Sequence, residues 1–361
     1  MSHRLARLAV PPLLGGLALL ALGCAAPATP AGAPPPASAG APTAPPVEHL
    51  TSGAGTLTSF GTTFPRLVAA YLGYFADEGL QVDVVNTGGD APTLAGMIAG
   101  DIHVAEAIGT DGLVLANAKG QPFYALAAYL NSLNYSLMGA PGVSAAAGLR
   151  GGTVAISRPG DTTDRYARVA LRHLGLEPER DVALVAAQSS PERARSLLAG
   201  VVQGALIGRS ENSFLRRHGA TELVDLRDLF PDYSNRVIAT SGRVLEERPR
   251  AVQAFVKGMV RAYQWLAEPS HRADAPAIVA WAGLDVDDLD QAYDDLVRGL
   301  AADGEINPRG LERVIQDLQA GGQVPADYTA DQLVRSGPLR AAQQELGLTP
   351  SGGVQSSLPA R

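Results

Sequence analysis

The hydrophobic and polar positions of this chain form a pattern that occurs twice. One stretch begins near Gly55 and runs through Tyr71-Leu72-Gly73-Tyr74-Phe75-Ala76-Asp77-Glu78-Gly79-Leu80 into the β-rich run Gln81-Val82-Asp83-Val84-Val85. A helical pattern then closes in Leu94-Ala95-Gly96-Met97-Ile98-Ala99-Gly100, before Ile102-His103-Val104-Ala105. The second stretch opens on the short apolar strand Gly152-Thr153-Val154-Ala155-Ile156, and a helical pattern follows, ending in Leu171-Arg172-His173-Leu174-Gly175-Leu176. It goes on through Asp181-Val182-Ala183-Leu184-Val185, a helix closing in Leu197-Leu198-Ala199-Gly200, and Val201-Val202-Gln203-Gly204-Ala205-Leu206-Ile207. Both read strand, helix, glycine stop, strand, helix, glycine stop, strand. Gly79 and Gly175 stand where a helix ends in a left-handed cap, and the runs after them suit half-buried or fully buried parallel strands. Strands alternating with helices predict βαβ units and a parallel sheet. The copies lie about 100 residues apart, so each is a lobe and not a small solenoid repeat.

Downstream the period changes to that of helices. From Glu246 to Glu268, the residues Val252, Phe255, Val256, Met259, Val260, Tyr263 and Leu266 recur at three- and four-residue spacing. Further helices are predicted around Pro276, which is tolerated in a first turn, and over Asp287–Ala302 and Pro308–Leu318. Their apolar faces need a partner, and the first lobe is the expected one.

The beginning of the chain is of another kind. Arg4 and Arg7 precede an uncharged apolar run, Leu8 to Leu22, too short to span a bilayer but fitting the core of a signal peptide. It ends in Ala21-Leu22-Gly23-Cys24, which resembles the bacterial lipobox and departs from it at Ala21, where leucine is usual. Residues 1–24 are thus expected to be a lipoprotein signal peptide, with Cys24 lipidated; a secretory leader with a chance cysteine is the alternative. Residues 25–47 hold eight prolines among Ala, Gly, Ser and Thr and no charge, the composition of a disordered tether. Residues 349–361 are expected to be a disordered tail.

The bulk numbers remove several classes. With 361 residues, 46% hydrophobic, the chain can build two lobes of ordinary size. A net charge of −7 gives no basic face for nucleic acid. The single cysteine excludes an internal disulfide, a redox pair and a multi-cysteine zinc site. Asp285, Asp287, Asp288, Asp290, Asp294 and Asp295 invite a calcium reading, but Leu284, Val286, Leu289, Tyr293, Leu296 and Val297 interleave at helical spacing and the glycine a calcium loop requires is missing; a solvated helix face is expected. No metal and no cofactor are expected.

At this point a family resemblance emerges. Gly73-Tyr74-Phe75-Ala76-Asp77-Glu78-Gly79-Leu80-Gln81-Val82, followed by Leu94…Gly100-Asp101-Ile102-His103-Val104-Ala105, resembles the pattern G-x-F-x-x-E-G-L-x-V…L-x-x-G-x-x-D-x-A of ABC-transporter substrate-binding proteins of the sulfonate, nitrate and thiamine-pyrimidine type. His103 stands where that family usually has Asp. Leu149-Arg150-Gly151-Gly152-Thr153-Val154-Ala155 resembles its entry to the second lobe, and Leu245-Glu246-Glu247-Arg248-Pro249-Arg250-Ala251-Val252 the start of its C-terminal helices. Pro325-Ala326-Asp327-Tyr328-Thr329 and Leu333-Val334-Arg335-Ser336-Gly337-Pro338-Leu339 resemble its ending. The resemblance covers about residues 50–345. It implies a type II periplasmic-binding-protein fold, α/β, with two lobes, a hinge and a ligand cleft between them. Lobe 1 would hold 48–135 and 235–348, lobe 2 136–234.

In such folds ligands bind beyond the carboxyl ends of the strands, where helix N-termini point amides outward. Five turns are therefore candidates. In the first, Ser59 offers a hydroxyl, Phe60 a stacking face and Gly61 close approach, although Ser59 or Thr62 would serve equally as a cap. Thr87, Gly88 and Gly89 form a second, with Asp90 as a plain helix cap the alternative. Glu106, Ile108, Gly109 and Thr110 form the third; a carboxylate there must face the cleft or have a partner. Ser157, Arg158, Gly160, Asp161, Thr162 and Thr163 open a helix in the second lobe, as ligand contacts or as caps. By the internal echo, Arg209 and Ser210 fall where Gly109 and Thr110 fall. Arg209 suits a two-pronged bond to a carboxylate, sulfonate or phosphate, or a salt bridge. Tyr233 is expected to pack, and Asn131, Asn134 and Tyr135 lie in the crossover between lobes.

The expected function is an extracytoplasmic solute-binding lipoprotein, anchored to the cell membrane through Cys24, monomeric, and handing a small organic anion or an aromatic or pyrimidine-like solute to an ABC permease. A ligand-sensing receptor subunit and an enzyme of the pyrimidine-precursor type on the same fold are the alternatives. That enzyme relies on clustered His and Cys residues, whereas the six histidines here are scattered. No nucleophile elbow, H-E-x-x-H, P-loop or dinucleotide fingerprint is present, so a non-enzyme is expected.

Overall fold

The computed structural model describes residues 47–160, 162–187 and 189–353. The predicted signal peptide with Cys24, nearly all of the tether, Asp161 and residues 354–361 lie outside them. Of the predicted tail, 349–353 form neither helix nor strand, and the Ser351 amide donates to Asp303 at 3.0 Å.

The chain first runs β1 (Glu48–Ala54), α1 (Phe60–Tyr71), α2 (Tyr74–Asp77), β2 (Leu80–Asn86), α3 (Asp90–Ala99), β3 (Val104–Gly109), α4 (Thr110–Ala118) and β4 (Phe123–Leu130). It crosses at 131–134 into β5 (Tyr135–Gly139), β6 (Thr153–Ile156), α5 (Thr162–His173), β7 (Ala183–Ala186), α6 (Ser190–Leu198), β8 (Gly204–Gly208), α7 (Asn212–Arg217), β9 (Thr221–Asp225) and α8 (Leu226–Leu229). It returns through 230–235 to β10 (Arg236–Ser241), followed by α9 (Gly242–Glu247), α10 (Pro249–Ala267), α11 (Ala275–Ala282), α12 (Leu289–Gly299), α13 (Pro308–Ala320), α14 (Ala330–Leu333) and α15 (Gly337–Leu346).

Two five-stranded sheets result, ordered β2-β1-β3-β10-β4 and β7-β6-β8-β5-β9. Position by position the orders correspond, so the repeat in the sequence is a repeat in space. The expectation of parallel sheets holds for three strands of each. β10 runs antiparallel to β3 and β4, and β5 antiparallel to β8 and β9. The double crossover is the reason: β5 is the first strand of the second sheet, and β10 is the strand that comes back into the first. Gly79 and Gly175 take positive φ of 65° and 73°, the left-handed stops their positions require.

α10 packs its apolar stripe on α1, and Phe255 stacks on Phe75 with centroids 5.3 Å apart. Val252, Phe255, Val256, Val260, Tyr263 and Leu266 are buried in one cluster with Phe64, Val68, Tyr129 and the α12 residues Tyr293 and Leu296. Each such side chain contributes about 1.5–3 kcal/mol, so the C-terminal helices are part of the first sheet's core. The single helix expected over 246–268 is two, because Pro249 disfavours helical geometry at Arg248, whose φ and ψ are −135° and 46°.

Candidate functional site

β1, β2 and β3 end on the same side of the first sheet, and β6, β7 and β8 do so in the second. The two rims share one device. The Gly109 amide, at the end of β3, donates to Asp90 Oδ2 at 3.1 Å; the Gly208 amide, at the end of β8, donates to Ser190 Oγ at 3.0 Å. Asp90 and Ser190 each begin the helix that follows the second strand of their parallel trio, β2 and β7. A Cβ at 109 would stand 2.6 Å from Asp90 Oδ2, so a larger residue there would displace that carboxylate. Asp90 therefore does not cap its own helix, whose N-cap is Gly89.

The rims touch. The turn 209–211 packs against α1 and α12, and a Cβ on Gly61 would meet the Ser210 side chain at 3.9 Å. On one flank Asp111, in α4, accepts from Thr162 Oγ1 at 2.9 Å and Tyr233 OH at 2.8 Å and pairs with Arg165 of α5. On the other flank Asp295, in α12, pairs with Arg209 at 3.2 Å and Arg227 at 3.3 Å. Carboxylates on elements of the first core thus hold cations carried by the second.

This arrangement decides one open reading and corrects one expectation. Of the two roles open to Arg209, an anion contact and a salt bridge, the structure shows the salt bridge: its side chain is 5% exposed and its guanidinium is shared among Glu222 at 2.6 Å, Asp225 at 2.8 Å and Asp295. A buried cation is tolerated only where it is compensated, and these carboxylates compensate it. Asp295 was counted in a solvated helix face; its side chain is 2% exposed. The other acids of that stretch behave as surface groups: Asp288 pairs with Arg217, and Asp290 and Asp294 with Arg272.

Glu106 has the partner its position demands. Its carboxylate, 2% exposed, lies 2.8 Å from Arg66 of α1 and accepts from Ser52 Oγ at 3.1 Å. Burial pushes its carboxyl above the usual range, against the pull of Arg66. Phe60 is core, stacked on Phe64 with centroids 4.2 Å apart, so it offers no open ring face. Ile108 is buried too. Thr110 is fully buried, its amide bonded to the Asn235 carbonyl. Thr87 spends its hydroxyl on its own turn, toward Ala54, Gly89 and Thr93. Thr163 accepts from the Ser157 amide at 2.7 Å, a local role. The Ser59 carbonyl receives Thr62 and Thr63, while its hydroxyl makes no capping bond. Gly88 and Gly160 are exposed, with positive φ. Arg158 is exposed and enters no ion pair among the described residues. Tyr233 packs, as expected, edge-on to Tyr166.

Three rim residues, Arg236, Glu211 and Ser190, escaped the sequence reading, and Asp90 entered it only as a cap. Arg236 starts β10 opposite Gly109, donates to the Ala107 carbonyl at 2.7 Å and lies 3.4 Å from Asp90. Burial alone would lower its pKa, but Asp90 and the hydrogen-bonding Tyr135 hold it raised. In the second half Glu211 Oε2 accepts from Ser210 Oγ at 3.0 Å and Ser190 Oγ at 3.3 Å, and burial pushes its carboxyl up. Asp90 and Ser190 occupy matching places in the internal repeat, a signal that would have paired them.

Two surface recesses lie off the rims, one at Phe230, Asp232, Arg309 and Arg313 and one at Asn117, Tyr124 and Arg335. Among the described residues no three His, Cys, Asp or Glu side chains converge as a metal site, and no helix is long and apolar enough to cross a membrane.

Comparison with known proteins gives a consistent picture. A family model described as NMT1/THI5 like matches residues 62–273. The nitrate/nitrite binding protein NrtA of Nostoc sp. is 26% identical over 121 residues, 33% of this chain and 27% of that protein. The chain thus spans about a quarter of the length of that relative. The periplasmic nitrate-binding protein NrtA of Synechocystis PCC 6803 superimposes with TM-score 0.67 and 16% identity, covering 84% of this chain and 90% of that one. The desulfurization enzyme DSZB superimposes with TM-score 0.61 and 19% identity, covering 83% and 99%. The fold is therefore that of periplasmic binding proteins, and solved structures on it include both binding proteins and an enzyme.

Proposed function

Because the chain belongs to the NMT1/THI5-like family, whose model matches residues 62–273, we propose that it is the solute-binding component of an ABC importer. It would bind one small molecule between the lobes, close on it and present the closed form to a membrane permease. Lobe 1 would comprise 48–135 and 235–348, and lobe 2 136–234. The protein would work outside the cytoplasm, held at the membrane by a lipid on Cys24.

The observation that carries this reading is the pair of matching rims in contact. The amide-holding devices at Gly109 and Gly208 freeze the ends of the two central strands. Gly61 and Ser210 mark where the rims meet. A solute touching both rims favours the closed arrangement by its differential affinity for it. The alternative of an enzyme draws on the structural match to a desulfurization enzyme.

Gly61→Phe tests the site. The residue lies in the first turn of α1 with no unusual backbone requirement, so the fold should hold while the ring props the rims apart. In calorimetry against nitrate, ethanesulfonate, benzoate and aminopyrimidines, the wild type is expected to bind one class at one-to-one stoichiometry. The variant should lose at least about 10-fold in affinity at an unchanged melting temperature. Binding indifferent to Gly61→Phe would move the site elsewhere. Conversion of the solute by the purified protein would replace the receptor reading with the enzyme.

A further inference from the structure

Two segments join the halves, 131–134 and 230–235, and a third, between α12 and α13, touches both of them. This third segment is fastened to the first half. The Ala301 amide donates to the Tyr129 carbonyl at 3.0 Å, and the Ala128 amide to the Gly304 carbonyl at 2.7 Å. The buried Glu305 carboxylate pairs with Arg340 of α15. Asn307 is the last residue before α13, and its polar groups point three ways. Its amide donates to Asn131 Oδ1 at 3.2 Å, in the first crossover. Its Nδ2 donates to Asp232 Oδ1 at 2.9 Å, in the return crossover. Its Oδ1 accepts from the Gly310 amide at 3.0 Å and caps α13. Each crossover is also held a second time. Asn131 Nδ2 donates to the Glu305 carbonyl at 2.7 Å. A Cβ on Gly310 would stand 2.6 Å from the Ser234 nitrogen, so the first turn of α13 lies directly on the return crossover.

Just beyond Asn131 the side chains are held less. Ser132 Oγ and Asn134 Oδ1 are buried with no hydrogen-bond partner among the described residues, so backbone rotation at 132–134 breaks no bond of either atom. In hinged proteins a few residues absorb the backbone change, and the fastened neighbours decide which. We propose that Asn307 is a positioning residue for closure: it pins both crossovers to the first half, so that the lobes turn about the chain on the second-half side of Asn131 and Asp232. The proposal rests on the interlobe reading above and adds the residue that sets its pivot.

Asn307→Asp in the full chain keeps the oxygen that caps α13, removes the donor to Asp232 and sets two carboxylates against each other. Hydrogen exchange of the amides in 128–135 and 230–236 should quicken about 10-fold, while exchange elsewhere in the two sheets stays as in the wild type. Spin labels on Ile98→Cys and Val201→Cys, with Cys24→Ser, should give a broader distance distribution without any solute. Asp232→Asn alone retains an acceptor and should behave as the wild type. Joined to Asn307→Asp it reverses donor and acceptor and should restore both readouts, which a lost cap or a weakened fold would not allow. Should Asn307→Asp fail to fold, Asp232→Ala removes the same bond without touching α13 and should quicken exchange in 230–236. Wild-type behaviour of Asn307→Asp, or no restoration in the double variant, overturns the proposal. Quickened exchange with one identical label distance in every protein would contradict turning lobes and remove the interlobe reading as well. A wild-type distribution that narrows with a bound solute, and that Asn307→Asp leaves unbroadened, removes the role of Asn307 alone.

Discussion

Glu106→Ala is expected to lower the stability of the fold by about 3–5 kcal/mol, the largest loss foreseen for any single side chain near the rims. The carboxylate and Arg66 are both nearly inaccessible, at 2% and 9% side-chain exposure. Removing the anion leaves a guanidinium with no compensating charge beneath α1. The alanine also strands the Ser52 hydroxyl, which donates to Glu106. Urea denaturation would read the loss as a lower midpoint with an unchanged slope. The double variant Arg66→Met with Glu106→Leu should recover most of it, because replacing both members of a buried pair by apolar groups is close to neutral. A single variant that stays stable but loses solute affinity would return Glu106 to the ligand role first considered for it.

Asp111→Ala should act on the relation between the lobes. Its carboxylate, almost fully buried, serves Thr162 and Arg165 from the second half and Tyr233 from the return crossover. Losing it removes one ion pair and two hydrogen bonds that exist only when the rims are together, about 3 kcal/mol by the usual values. If solute selects the closed arrangement, a penalty of that size on closure lowers apparent affinity on the order of 100-fold. Calorimetry gives the affinity, and small-angle scattering should show a larger radius of gyration in the absence of solute. Asp111→Asn should fall between, since the amide still accepts from Thr162 but does not neutralise Arg165. Equal affinity in all three proteins would mean that the Asp111 contacts do not report on closure.

The architecture was legible because it is written locally and twice. Alternation in Gln81–Val85, the stops at Gly79 and Gly175, and the stripe from Val252 to Leu266 each state an element within a few residues, and the repeat states that the elements are used again. The site was less legible, because its charges are set by partners far away in sequence. Arg209 meets Asp295 across 86 residues, and Asp90 meets Arg236 across 146. Nothing in the neighbourhood of Arg209 distinguishes a cation waiting for an anion from one already surrounded. The same holds for Asp295, whose flanking aspartates are solvated while it is not. Phe60 shows the opposite failure. Its position at a helix start suggested an open ring, yet Phe64, one turn on, stacks on it and turns it into core. Glu211 was overlooked because its serine partners, Ser190 and Ser210, meet only once the turn after β8 is folded against the start of α6.

Closure of the two halves around a bound molecule can be followed as a distance. Ile98 and Val201 are strongly exposed, at 60% and 69%, on α3 and just beyond α6. They can carry spin labels in a Cys24→Ser background that leaves no other cysteine. Pulsed dipolar spectroscopy with a saturating solute, one that raises the melting temperature and binds one-to-one, should convert a broad distribution into a single shorter distance. A distribution left unchanged by a solute bound at that stoichiometry would contradict a binding site between the lobes.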